Sequence, residues 1–253
     1  MIKSFYATDD GDRTLNEDSV CILSNKSGEH MMLVADGLGG YNKGEVASSI
    51  VLTHMGKAFT KLVSVGTRDE AVNWISENVK AAHNKIREYA SNHKDAESMA
   101  TTIVIAILTN DFLLVGNVGD SMGYVLKNEK LYPVTKPHNF VRYLVDSGEI
   151  TEEEAKAHPK KHCVTRALGN IGDSGDIDLR DVEIGDAILL CSDGLTDMLS
   201  DDQIERVLND NKLSVEGKVG KLIKKCKARG TDTNKNDNIS IACLFIEGDE
   251  SKW

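Results

Sequence analysis

Cysteine, proline and aromatic residues are all scarce in this 253-residue chain, with five Cys, three Pro and 5% Phe, Trp and Tyr. The cysteines, Cys21, Cys163, Cys191, Cys226 and Cys243, are odd in number and widely spaced. With no Cys-x-x-Cys pair among them, they give no basis for a thiolate zinc site or a dithiol redox motif and read as reduced residues, several of them small core hydrophobes. Long apolar runs are missing as well. No segment approaches the roughly 18 apolar residues of a membrane helix, and Met1–Phe5 lacks the apolar stretch of a signal peptide, so a cytoplasmic chain without membrane insertion is expected. Positive charge is also in deficit: 30 Lys and Arg against 40 Asp and Glu leave a net charge of -10. Phosphate-backbone binding needs clustered cations, so nucleic acid is not an expected partner.

The remaining composition, 40% hydrophobic and 28% charged, is that of an ordinary globular protein. Short apolar, β-branched runs bounded by Gly, Asn and Asp predict strands at Ser19–Leu23, Met31–Ala35, Thr101–Leu108, Phe112–Val118, Ala187–Cys191 and Ile239–Ile246. Only Thr109-Asn110-Asp111 separates the third from the fourth, which is hairpin spacing and predicts antiparallel pairing. Capping boxes at Thr67/Glu70, Thr151/Glu154 and Ser200/Gln203 mark helix starts. The first opens an amphipathic pattern to about Asn92, and a second long helix is predicted from Gly44 to about Leu62. Strands and helices are grouped in blocks rather than strictly alternating, which argues an α+β fold. No repeat or Pro/Gly/Ser linker divides the chain, so one domain is expected over 1–248 with a tail at 249–253. The charged segment from about Pro137 to Gly185 reads as a flap.

Aspartates recur where buried strands end and a glycine or serine follows: Val34-Ala35-Asp36-Gly37, Val118-Gly119-Asp120-Ser121 and Cys191-Ser192-Asp193-Gly194. Asn236-Asp237-Asn238 and Asn16-Glu17-Asp18 immediately precede strands instead. Any one of these sites is ordinary turn chemistry. Several carboxylates converging on one rim would repel unless protonated or neutralised by cations. Oxygen ligands without His or Cys nearby select Mg²⁺, Mn²⁺ or Ca²⁺. Two such ions about 4 Å apart can lower the pKa of a bridging water and clamp a phosphoryl group, which predicts hydrolysis of a phosphate ester.

In ordered sequence, Arg13-x-x-Asn16-Glu17-Asp18, Ala35-Asp36-Gly37-Leu38-Gly39-Gly40, Gly44-Glu45-x-Ala47-Ser48, Ala100-Thr101-Thr102, Gly119-Asp120-Ser121, Thr165-Arg166-Ala167-Leu168-Gly169, Ser192-Asp193-Gly194-Leu195-Thr196-Asp197 and Asp237-Asn238-Ile239-Ser240 resemble the metal-dependent type 2C Ser/Thr protein phosphatases, particularly bacterial single-domain members. The resemblance implies a four-layer α-β-β-α sandwich of two mainly antiparallel sheets flanked by helix pairs, with a flap subdomain. It implies two Mn²⁺ or Mg²⁺ ions bridged by Asp36, with Asp193 and Asp237 on the first and Glu17 and the Gly37 carbonyl on the second. Asp18 and Asn238 would lie just behind these ligands, and a possible third ion would sit near Asp120, Asp193 and Asp197. Arg13 would grip the substrate phosphate, its planar fork meeting two oxygens at once. Metal-activated water would attack phosphoserine or phosphothreonine in phosphoprotein substrates, opposing a cognate Ser/Thr kinase; a monomer is the default.

Leu38 stands where many eukaryotic relatives have a His, so no general acid is assigned. Met122, where the family usually has Arg, and Lys136-Pro137-His138, where it usually has Asp-His, leave the bracing of core and flap to be found. His54 and His83 read as packing residues; His138, His158 and His162 fall in or near the flap and receive no catalytic role. Two other readings fit the same fold: a pseudophosphatase binding module, whose usual sign would be loss of Asp36, Asp193 or Asp237, and a small-molecule phosphohydrolase with the same metal centre.

Overall fold

The computed structural model describes residues 1–38, 43–170, 173–229 and 236–246. Gly39 and Gly40 of the glycine-rich motif and the tail at 249–253 lie outside them. The strands are β1 (Ile2–Asp9), β2 (Ser19–Ser24), β3 (His30–Ala35), β4 (Gly37–Leu38), β5 (Ala100–Thr101), β6 (Ile103–Leu108), β7 (Leu113–Val118), β8 (Met122–Lys127), β9 (Lys130–Pro133), β10 (Asp178–Val182), β11 (Ala187–Cys191) and β12 (Ile239–Ile246). The helices are α1 (Gly44–Lys61), α2 (Arg68–Asn92), α3 (Phe140–Asp146), α4 (Glu152–Ala157), α5 (Asp193–Thr196), α6 (Asp201–Leu208) and α7 (Val215–Arg229).

Two five-stranded sheets, ordered β1-β12-β11-β8-β9 and β10-β7-β6-β3-β2, pair antiparallel throughout, and β4 and β5 form a two-stranded ladder beside them. Period-two alternation sends the side chains of β3 to two different cores. Met32 and Val34 face the other sheet, meeting Ile188, Leu190, Ala242 and Leu244. Met31 and Leu33 face the α1–α2 layer, with Val51, Met55, Phe59, Ile75 and Val79. On the opposite side Val219, Leu222 and Cys226 of α7, with Ile204 and Val207 of α6, cover Leu189, Ile241 and Cys243. Strands buried on both faces must be apolar without interruption, which is why β3, β6 and β11 read as solid hydrophobic runs. The fold is the expected α+β sandwich in four layers.

All three capping boxes form. Thr67, Thr151 and Ser200 each start a helix, with the side chains of Glu70, Glu154 and Gln203 reaching back to the cap backbone; such caps are worth about 1 kcal/mol each. The β6–β7 hairpin also forms, with Leu108 opposite Leu113 and the Thr109 hydroxyl accepting from the backbone N–H groups of Asp111 and Phe112.

Two expectations need correction. The run Thr101–Leu108 is not one strand: it breaks at Thr102, whose backbone N–H donates to the Asp36 carbonyl at 2.8 Å instead of continuing a ladder. The segment 137–185 is not wholly outside the sheets either, because Asp178–Val182 pairs with β7 as an edge strand. Outside the sheets this segment holds α3 and α4 and the loop following α4, to which the flap expectation narrows. His138 ties the first end of this segment to the core: its backbone N–H donates to the Gly119 carbonyl, its Nδ1 accepts from the Gly119 N–H, and its Nε2 lies 3.0 Å from Asp178 Oδ2. Arg166 reaches the same carboxylate at 3.0 Å, and Leu168 exchanges two backbone hydrogen bonds with Thr101. The anchoring left open by Lys136-Pro137-His138 is supplied by this network.

Candidate metal centre

Asp36 follows β3 at the point where the chain leaves the sheet. Its N–H donates to Thr102 Oγ1 (3.0 Å) and its carbonyl accepts from Thr101 Oγ1 (2.8 Å), so both backbone groups are fixed by the break between β5 and β6. At Gly37 a Cβ would come within 2.4 Å of the Gly44 carbonyl and 2.5 Å of the Glu17 carbonyl. Only glycine lets the start of α1 and the Glu17 loop close on this turn. Glu17 is held by its neighbours on both sides: its N–H donates to Asn238 Oδ1 (2.9 Å), and its carbonyl accepts from Gly37 N (3.1 Å) and Ser48 Oγ (2.6 Å).

Gly194 does the same for the other sheet. A Cβ there would meet the Asn238 carbonyl at 2.1 Å, so α5 starts pressed against the head of β12 and brings Asp193 and Asp237 together. Asn238 itself is buried; its Nδ2 donates to the Asp10 and Leu15 carbonyls, pinning the loop that carries Arg13 and Glu17. Behind them Ser192 Oγ donates to Asp18 Oδ2 (2.8 Å) and accepts from Ser240 N (2.9 Å).

Of the residues singled out in the sequence, Arg13, Glu17, Asp36, Gly37, Asp193, Asp197, Asp237 and Asn238 line one cleft of about 780 Å³, closed on its far side by His158, Lys161 and His162 of the flap. Leu38 also lines it and offers no titratable atom. Asp18 and Asp120 sit behind the cleft, close enough that their charges act on Asp36 and Asp193. One participant was not assigned from sequence: His162 Nδ1 lies 3.1 Å from Asp197 Oδ2, and one ligand atom each of His162, Asp193 and Asp197 fall within 4.8 Å of one another. Nothing in the spacing of a flap residue signals that contact, which only the closed chain creates.

The cluster is electrostatically unfavourable as it stands. Burial, and then the neighbouring aspartates, push the carboxyls of Asp36 and Asp193 well above the usual range. Burial also raises Asp18 and Asp120 to about 6, and Glu17 is raised by burial and by Glu45. Among the described residues Asp18 Oδ1 and Asp193 Oδ1 are buried with no hydrogen-bond partner. Converging carboxylates, two orphaned oxygens and the Gly37 carbonyl form a hard oxygen set that fits divalent Mg²⁺ or Mn²⁺ and answers the repulsion. Arg13 sits at the rim, donating to Asp237 Oδ2 at 2.8 Å, with both side chains about half exposed. Its ion pair is with Asp237, while its charge also acts on Glu17.

Comparison with known proteins places this geometry in a family. The protein phosphatase 2C family model matches residues 10–224. The chain is 34% identical to the serine/threonine phosphatase stp of Listeria monocytogenes serovar 1/2a over 246 residues, covering 96% of this chain and 95% of that one. It is 28% identical to the protein phosphatase PhpP of Streptococcus pneumoniae over 241 residues, 95% of each chain. Among solved structures, serine/threonine phosphatase Stp1 from Staphylococcus aureus superposes with a TM-score of 0.89 at 31% identity, covering 98% of this chain and 96% of that one. The catalytic domain of PstP in complex with two manganese ions superposes at 0.81 and 29% identity, covering 98% and 99%. Fold, acidic cleft and sequence agree: the chain belongs to the protein phosphatase 2C family and is a bacterial-type protein Ser/Thr phosphatase.

Proposed function

We propose that this chain hydrolyses phosphoserine and phosphothreonine in phosphoproteins at a centre of two Mn²⁺ or Mg²⁺ ions. The observation that carries the reading is the meeting of Asp36, Asp193 and Asp237, from three separate strand junctions, in one cleft, with the carboxyls of Asp36 and Asp193 pushed up by burial and by their acidic neighbours. Asp36 would bridge the ions, Asp193 and Asp237 would complete one, and Glu17 with the Gly37 carbonyl would serve the other. A further ion would take Asp120, Asp193 and Asp197. The ions, once bound, supply an activated water and charge stabilisation for in-line attack on phosphorus. Asp18 and Asn238 keep the ligands in place through the Ser192 and Glu17 hydrogen bonds described above. All three carboxylates whose loss would mark a pseudophosphatase are present and converge, which favours the enzyme over the binding module. The counterpart would be a Ser/Thr kinase.

The test is phosphate release from a phosphothreonine peptide with Mn²⁺, with Mg²⁺ and with chelator. Release only in the presence of metal is expected; no release under any condition from folded protein would overturn the reading.

Arg13 binds substrate in this scheme. An exposed ion pair such as Arg13–Asp237 is worth about 0–1 kcal/mol, so the guanidinium is readily released towards a phosphate. Arg13→Ala is expected to raise KM about tenfold while changing kcat less, as loss of one charge-assisted bidentate contact predicts. A fall in kcat at unchanged KM, measured by initial rates on the same peptide, would contradict that role.

A further inference from the structure

We propose that a groove leading out of the metal cleft, between α4 and the start of α6, receives the substrate residues that flank the phosphorylated side chain, and that Asp202 makes it select Lys or Arg there. The proposal rests on the phosphatase reading above and adds to it the class of protein sequence the enzyme prefers.

The groove holds about 640 Å³ and shares Lys161, Asp197 and Met198 with the metal cleft, so the two are continuous. An extended peptide advances roughly 3.3–3.6 Å per residue, so residues flanking a phosphoresidue held in the cleft run along the shared wall of Lys161, Asp197 and Met198 into the groove. Val141, Ala155 and Leu199 give it an apolar floor. Such a floor suits the alkyl stem of a long cationic side chain, which buries its methylenes and keeps its charge at the rim.

The rim is acidic. Four carboxylates, Glu152, Asp197, Asp201 and Asp202, face the two cations Lys161 and Arg229. Most of these are already engaged: Glu152 by Arg142 at 2.8 Å, Asp197 by His162 at 3.1 Å and Lys161 at 3.5 Å, Asp201 by the Tyr124 hydroxyl at 3.2 Å, and Arg229 by the Met198 carbonyl. Asp202 is exposed and, among the described residues, joins none of the ion pairs of this rim. Its place in the first turn of α6 suits the helix dipole, which accounts for an acid at that position and leaves its charge free to face the groove.

The test uses the Mn²⁺-loaded enzyme and a set of phosphothreonine peptides identical but for Lys, Ala or Glu at each of the two positions before and after the phosphoresidue, with p-nitrophenyl phosphate as a substrate that has no flanking residues. At one of those positions Lys is expected to exceed Glu in kcat/KM by about fivefold or more, the scale of trading attraction for repulsion at an exposed charge pair. The preference should flatten in 0.5 M NaCl, where charges are screened within a few ångströms. Asp202→Lys should reverse it and Asp202→Asn reduce it, with turnover of p-nitrophenyl phosphate unchanged; a merely structural role for Asp202 would move all peptides together. No charge preference at any position in an enzyme that hydrolyses p-nitrophenyl phosphate, or a preference untouched by both variants, would overturn the groove assignment. Hydrolysis of neither substrate type would instead sink the phosphatase reading and the groove with it.

Discussion

Replacing Asp36 by asparagine is expected to lower turnover of a phosphothreonine peptide by about 10³-fold or more, because a residue proposed to serve two ions loses its charge at both. The same substitution should stabilise the metal-free protein. Asp36 is held well above the ordinary carboxyl pKa by burial, and then by Asp18, Asp193, Asp120 and Asp237, so ionising it in the folded state is unfavourable. Asparagine keeps the shape and removes that burden, while the hydrogen bonds that define this turn come from the Asp36 backbone and survive. Thermal melts in chelator at pH 7.5 should therefore place Asp36→Asn above wild type by several degrees, with activity nearly lost. Opposite signs for activity and stability separate a ligand from a structural aspartate. If the variant kept most of its activity, or melted well below wild type in chelator, Asp36 would be a turn residue and the metal assignment would fail.

That contrast was visible in the sequence only in part. The strands buried on both faces, β3, β6, β7, β11 and β12, announce themselves as largely apolar runs, the buried Asn117 of β7 and Ser240 of β12 lying towards the strand ends that face the site. Of the strands that escaped, β1, β9 and β10 lie at sheet edges, while the internal β8 and the two-residue β4 escaped as well. β1 exposes most of one face, β9 is four residues with one buried, and β10, Asp-Leu-Arg-Asp-Val, carries charges that read as part of the flap. Charged residues on an edge protect it from pairing with other chains, so the pattern that hides these strands from sequence reading has its own physical cause. The acidic site was legible as a list of aspartates at strand ends. What sequence alone could not supply was the closure: Asn238 holding Glu17, Gly194 pressed on β12, and His162 brought from the flap to Asp197, contacts spanning up to 221 residues of chain. Arg13 shows the same limit, since its ion-pair partner Asp237 lies at the other end of the chain.

The thermal stability gained from Mn²⁺ is expected to be small near pH 5 and large near pH 7.5. Asp18 and Asp120 are raised from 3.8 to about 6, chiefly by burial. Between pH 4 and 6 the unfolded chain releases these protons while the folded, metal-free chain keeps them, so the folded state binds more protons and its stability falls as pH rises. Each displacement corresponds to about 3 kcal/mol, fully lost above pH 6. For a chain of this size such a loss translates to roughly 6–12 °C in melting temperature. Exposed carboxylates that gain partners on folding, such as Glu70 and Glu154, whose pKa values are lowered by their capping hydrogen bonds, work in the opposite direction. Neither lines the metal cleft, and their capping hydrogen bonds do not involve its carboxylates, so they contribute equally with and without metal and the difference between melts in Mn²⁺ and in chelator removes them. The ligands must be ionised to hold a cation, and a site at a hundredfold excess of ligand over its Kd contributes about 2.7 kcal/mol. Below pH 5 protons occupy the cluster in place of metal, and at neutral pH only metal can relieve it. A Mn²⁺-dependent gain that stayed constant from pH 5 to 7.5, or that persisted in Asp36→Asn, would place the bound ion away from these carboxylates.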